Sequence, residues 1–259
     1  MTTSPIIVYK PQGITPLQAI EKLKATYPEY AHETLSYAGR LDPLAEGLLL
    51  ILYGEQNKER KAYESVEKTY EFTLLCGVST DTYDLLGKIT AEAQAIPPLK
   101  HLESSLAEIT STLPSSFLQT YPPYSSKPVL GKPLFWWARE GRLSEITRPT
   151  RRVSVTSLTY SALSTIEKDA LKKAVHDTIS RVTGDFRQEE ILSCWNQFFT
   201  TTPLSHFPVC SFQIICSSGT YIRGLCQQFG EQLGIPSLAY SIRRTAIGSY
   251  TLKDSITLV

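Results

Sequence analysis

Asp42 is the residue of this 259-residue chain best placed to do chemistry. It stands in the run Gly39-Arg40-Leu41-Asp42-Pro43-Leu44-Ala45-Glu46-Gly47, directly before the apolar stretch Leu48 to Tyr53. A carboxylate held between turn-forming residues and followed by a buried strand is presented from a rigid support, which suits a group that attacks a substrate. A carboxylate nucleophile can form a covalent intermediate and so divide one hard step into easier ones. To stay ionised at neutral pH in a pocket that excludes water, it needs a cation beside it. Read alone, Leu41-Asp42-Pro43 is equally an ordinary turn, because an Asp before Pro caps its own backbone. A second cluster runs from Tyr121 to Arg152: Lys127, Lys132, Arg139, Arg142, Arg148, Arg151 and Arg152 against Glu140 and Glu145, seven minus two, or +5. Most charge runs are solvated faces, but interleaving with Tyr121, Tyr124, Phe135, Trp136 and Trp137 favours contact with phosphates and bases.

Bulk composition points to no particular partner. Twenty-six basic residues against twenty-five acidic ones leave a formal charge of +1, so any basic surface must come from local segregation. The 42% hydrophobic content is ample for a packed core. Cys76, Cys194, Cys210, Cys216 and Cys226 show no Cys-x-x-Cys spacing and read as reduced core residues, and His32, His101, His176 and His206 show no ligand spacing, so no metal is expected. Ile191 to Ile222 carries no charge but is broken by polar residues and Pro, so no membrane span is expected. The first residues, Met-Thr-Thr-Ser-Pro, lack the pattern of a secretory leader, and the protein is expected in the cytoplasm.

The elements that must position Asp42 follow from periodicity. Ile6 to Tyr9 predicts a strand, Lys10-Pro11-Gln12-Gly13 a turn, and Thr15-Pro16 the start of a helix with Leu17, Ile20, Leu23 and Tyr27 on one face. Leu48 to Tyr53 and Thr69 to Cys76 predict strands, the second with Tyr70, Phe72, Leu74 and Cys76 on one side. Helices are predicted on Leu99, Leu102, Leu106 and Ile109, from Pro133 to Glu140, on Leu171, Val175 and Ile179, and on Ile222, Leu225, Phe229 and Leu233. Val153 and Val155 mark a strand, as do Phe212, Ile214 and Cys216. Strands and helices are interspersed without βαβ spacing, and no linker or repeat divides the chain, so an α+β fold of one domain over 1–259 around a mixed sheet is expected.

Several of these segments, in order and over nearly the whole chain, resemble the TruB family of tRNA pseudouridine synthases. Lys10-Pro11-Gln12-Gly13 is similar to its Lys-Pro-x-Gly motif, Gly39 to Gly47 to its catalytic loop, and Lys68-Thr69-Tyr70 to its Lys-x-Tyr strand. Thr80 to Gly87 and Tyr121 to Arg139 are similar to its next two blocks, and Ser217-Ser218-Gly219-Thr220-Tyr221-Ile222-Arg223 with Arg243-Arg244-Thr245 to its C-terminal ones. The resemblance implies the pseudouridine synthase fold: a mixed, largely antiparallel central sheet flanked by helices and loops, with the active-site cleft across it. It implies isomerisation of a uridine at position 55 in the tRNA T-loop to pseudouridine without a cofactor; separately, a monomer is expected. The nucleotide must be flipped out of its stack, at a cost of a few kcal/mol that phosphate contacts can offset.

The resemblance makes Asp42 the nucleophile, Arg223 the cation beside it and Tyr70 the ring against the base. Alone, Arg223 reads as an arginine snorkelling from a helix start and Tyr70 as a core aromatic. Lys10, Gly13 and Gly39 are expected as structural support. Tyr37, Arg40, Lys127, Lys132, Arg139, Arg148, Arg151, Arg152, Arg243 and Arg244 are expected RNA contacts, with sheet-edge carbonyls as the other partner open to Arg243 and Arg244, and an RNA-clasping loop and helix at about 119–152. Three positions depart from the family pattern. Tyr37 replaces its histidine and is expected to wedge the T-loop open by stacking, Arg40 replaces a small polar residue, and Glu46 a threonine. A helical segment at about 164–200 diverges, and the end at Val259 is expected to leave out the PUA domain of many relatives. Two other readings stay open: a tRNA-binding folding factor whose catalysis is secondary or lost, and a synthase acting on another RNA stem-loop.

Overall fold

The computed structural model describes residues 4–258. The readings of the N-terminus as lacking a leader and of the C-terminus as lacking a PUA domain rest on Met1–Thr3 and Val259, which lie outside the described residues. In chain order the elements are β1 (Ile6–Lys10), α1 (Pro16–Thr26), β2 (Leu35–Ala38), β3 (Glu46–Tyr53), α2 (Arg60–Ser65), β4 (Lys68–Cys76), β5 (Val78–Thr80) and β6 (Ile89–Glu92). Next come α3 (Leu99–Thr112), β7 (Ser116–Thr120), β8 (Pro128–Val129), β9 (Lys132–Pro133), α4 (Leu134–Arg139), β10 (Thr150–Glu167), α5 (Lys168–Ser180) and α6 (Gln188–Thr201). The chain closes with β11 (His206–Cys216), α7 (Ile222–Leu233), β12 (Ser237–Ile247), β13 (Tyr250–Thr251) and β14 (Ile256–Thr257).

Among the described residues a ten-stranded sheet runs in the order β14-β1-β3-β12-β4-β11-β10-β7, with β2 beside β3 and β13 beside β12. Only the β1–β14 and β3–β12 pairs are parallel, so the sheet is mixed and largely antiparallel, as expected. Its middle is hydrophobic on both sides because the strand period of two sends alternate residues to opposite layers. Phe72, Leu74 and Cys76 pack with Leu102 and Leu106 of α3 and Leu225 and Phe229 of α7. Leu75 and Leu238 pack instead with Leu171 and Val175 of α5 and Trp195 and Phe198 of α6.

Local chemistry starts and stops the helices as the sequence suggests. Thr15 caps α1, its hydroxyl accepting from the Gln18 amide while the Gln18 side chain accepts from the Thr15 amide. Gly234, at φ 66°, ends α7. Two expectations need correction. Leu17 is 59% exposed, and the face α1 buries is Pro16, Ala19, Ile20 and Leu23. The segment at about 164–200 is not helical from its start, because Ser164 to Glu167 continue β10 and pair with Val209 to His206 of β11. The two helices that follow are part of the core, and α6 is pinned to the β5–β6 hairpin by Trp195 Nε1 donating to the Gly87 carbonyl at 3.2 Å.

Candidate active site

The Asp42 loop is held from three directions. From below, Arg244 of β12 is almost fully buried, and its guanidinium donates to the carbonyls of Leu48 (2.7 Å), Gly39 (3.1 Å) and Arg40 (3.4 Å). This contact requires β3 to approach β12 closely at Gly47, where a Cβ would overlap the Arg244 carbonyl oxygen and φ is +107°. From one side, the Gly13 amide donates to the Pro43 carbonyl at 2.8 Å, and buried Lys10 donates Nζ to the Pro11 and Ile14 carbonyls at 2.9 and 2.8 Å. Burial pulls the Lys10 pKa down to about 7, against the pull of Asp42 in the other direction.

From above comes Arg223, in the first turn of α7. Its Nε donates to Asp42 Oδ2 at 2.8 Å, Nη1 to the Thr82 carbonyl at 2.8 Å and Nη2 to the Tyr124 carbonyl at 2.8 Å. Arg223 is buried while Asp42 keeps 30% of its side chain exposed, so the pair offers one open carboxylate edge to a cleft. Burial works against the arginine's charge, but Asp42 and then Asp84 outweigh it and hold its pKa above the ordinary value. Asp84 is itself buried, which raises its pKa to about 6, while Arg223 and hydrogen bonds from the Thr82 hydroxyl and the Leu86 amide oppose the rise.

Two cavities meet at Asp42 and Arg223. The first, of about 410 Å³, is walled by Tyr70, Lys68, Ile242 and Tyr221, with Arg60 and Arg151 at its rim. That volume suits a small planar ligand. Burial raises the Tyr70 phenol's pKa, and its oxygen lies 3.5 Å from Arg244 Nη1. Lys68 donates Nζ to the carbonyls of Glu64 and Val66, and burial pulls its pKa down to about 8. The second cavity, of about 550 Å³, lies on the other side of Asp42 toward Leu86, Phe135, Phe186 and Arg187.

The structure brings Asp42, Arg223, Tyr70, Lys10, Gly13 and Gly39 to one place, and it sorts the expected RNA contacts. Tyr37 and Arg40 line both cavities, with Arg40 Nη2 donating to the Tyr37 hydroxyl at 3.0 Å and Arg60 stacked 5.3 Å from the Tyr37 ring centre. Lys127 and Arg151 line the first cavity and Arg139 the second. Lys132 lies over Trp136, and Arg152 sits beside Arg151 on the strand and hence on its other face. Arg148 spends its guanidinium on the Tyr83 hydroxyl and the Tyr121 carbonyl. One expectation is overturned, and one residue faces away from the cleft. Arg244 is no phosphate contact, because its guanidinium is buried against loop carbonyls. Arg243 points to the opposite face of β12, 3.8 Å from Glu71. Sequence reasoning gave no role to Asp84 or Lys68, though both lie in quoted motifs, or to Arg187, which no pattern marks.

The sequence profile of the TruB family pseudouridylate synthase (N terminal domain) matches residues 29–177, more than half of the chain. The chain belongs to the TruB family. TruB-family relatives cover the rest as well. The tRNA pseudouridine synthase B of Bordetella avium is 31% identical over 254 residues, 98% of this chain and 84% of that protein. The protein of that name from Lactobacillus delbrueckii subsp. bulgaricus is 29% identical over 253 residues, 98% of this chain and 71% of that protein. The fold is shared with chains of known structure. A chain in the crystal structure of a Cbf5-Nop10-Gar1 complex superposes with a TM-score of 0.56 at 16% identity over 98% of this chain. A chain in the structure of an H/ACA RNP bound to a substrate RNA containing 2'-deoxyuridine gives 0.55 at 16% identity. This TruB-family chain spans about half the length of each of those two.

Proposed function

We propose that this protein isomerises a uridine of tRNA to pseudouridine, at position 55 of the T-loop, with Asp42 as nucleophile, Tyr70 against the base and Arg223 holding the carboxylate charged. The observation that supports this most is the Asp42–Arg223 pair at 2.8 Å, open on one edge where the two cavities meet. A binding module has no need of a carboxylate paired to a buried guanidinium, because burying that charge is costly. The relatives' name, tRNA pseudouridine synthase B, brings tRNA into the reading.

The reaction conserves atoms. The bond from the sugar C1′ to N1 breaks, the uracil turns within the first cavity, C1′ bonds to C5, and the C5 proton is lost as N1 gains one. Asp42 begins the exchange by supplying an electron pair, and Tyr70 stacks on the ring while it turns. Arg40, Lys127 and Arg151 take phosphates at the rim, and Tyr37 fills the gap the flipped base leaves in its stack. Incubating the purified protein with unmodified tRNA transcript and mapping pseudouridine chemically tests this. Conversion at position 55 without added cofactor is expected. No conversion contradicts the reading, and conversion only of a ribosomal RNA transcript offered in parallel keeps the chemistry but reassigns the target.

A further inference from the structure

We propose that Arg187, in the turn between α5 and α6, is a positioning residue that sets Arg223 and through it the Asp42 carboxylate. The proposal rests on the reaction assigned above. Arg187 is a non-glycine residue in left-handed backbone, φ 63° and ψ 29°, immediately before α6. Such a conformation persists only where its surroundings enforce it, and it clusters at functional sites. Here Gln188 enforces it, its side chain accepting from the Phe186 amide and donating to the Val182 and Gly184 carbonyls.

The backbone aims the guanidinium at two segments at once. Nη1 and Nη2 donate to the two carboxylate oxygens of Asp81, at 2.8 and 3.3 Å, and the Arg187 Cζ stands 4.2 Å from the centre of the Tyr124 ring. Asp81 precedes Thr82, and Thr82 and Tyr124 supply the two carbonyls that hold Nη1 and Nη2 of Arg223. Arg187 therefore clamps, by a planar fork on one side and a stacked face on the other, both supports of the arginine that pairs with Asp42. Its side chain is 13% exposed, with the fork already occupied by Asp81, which leaves it poorly placed to take a phosphate.

The test uses the full chain with Arg187→Ala, Arg187→Lys, Asp81→Asn and the Arg187→Ala/Asp81→Asn double variant, each checked for unchanged thermal unfolding. Loss of positioning predicts that Arg187→Ala lowers kcat on tRNA transcript about 10- to 100-fold while KM stays within about twofold. Arg187→Lys, which keeps the charge without the stacked fork, recovers part of the loss, and the double variant is no slower than the slower single one. An unchanged kcat overturns the proposal, and so does a rise in KM alone, which would make Arg187 a direct RNA contact. A readout independent of turnover keeps the inference separate from the assigned reaction. Solvent exchange of the Arg223 Nε proton, assigned by NMR against Arg223→Lys, should quicken about tenfold in Arg187→Ala, and unaltered exchange would contradict the clamp.

Discussion

Three arginines do different work around Asp42. Arg223 holds the carboxylate, Arg244 holds the loop that carries it, and Arg40 stands in the open beside Tyr37. The difference lies in what each guanidinium meets. Replacing Arg244 with Met would keep the apolar stem but leave the Leu48 and Gly39 carbonyls without their donor, at an expected cost of about 2–4 kcal/mol. Urea unfolding should show a lowered midpoint, while RNA affinity of the folded fraction keeps its salt dependence. Unchanged stability with a weaker salt dependence would make Arg244 a phosphate contact after all. The pairing of Asp42 with Arg223 was legible in the sequence because Leu41-Asp42-Pro43-Leu44-Ala45 and Gly219-Thr220-Tyr221-Ile222-Arg223 keep the family pattern. Whether Arg244 meets phosphate or carbonyls was not, since burial of an arginine depends on a strand pairing between segments distant along the chain.

The elements bring these residues together through close backbone approaches. Gly47 sits where β3 and β12 run parallel, and Gly47→Ala would force a Cβ into the Arg244 carbonyl at a positive φ. The expected loss is about 2–4 kcal/mol, read as a drop in thermal unfolding temperature together with lost activity. A variant as stable as wild type would refute the account of that junction. Strands β1, β3 and β4 were legible because apolar runs or alternation mark them. The whole of β10 was not, because its Ser- and Thr-rich stretch has a largely exposed pattern and is fixed by pairing with β11. Helix α5 was legible from Leu171, Val175 and Ile179, but its segment was given no function, and Trp195 and the turn at Arg187 tie it to the β5–β6 hairpin and to the cleft.

At the scale of the whole molecule, charge buried under the site couples stability to pH. Lys10 titrates near 7 in the folded protein and Lys68 near 8, both below the ordinary lysine value of 10.5 because of burial. Between those values and 10.5 the unfolded chain binds more protons than the folded one, so these lysines make stability rise as pH rises from about 7 to 10. Lys10→Met should flatten that rise in urea midpoints measured at pH 7 and 9.5, and an unaltered slope would show that Lys10 titrates normally. The charge on which the proposed reaction depends is Asp42, which is partly exposed and paired with Arg223. The decisive measurement is pseudouridine formed on unmodified tRNA transcript by wild type and by Asp42→Asn, with RNA binding of both measured in parallel. The account predicts equal binding and a loss of at least about a thousandfold in rate for Asp42→Asn. Comparable product from the two proteins would contradict it.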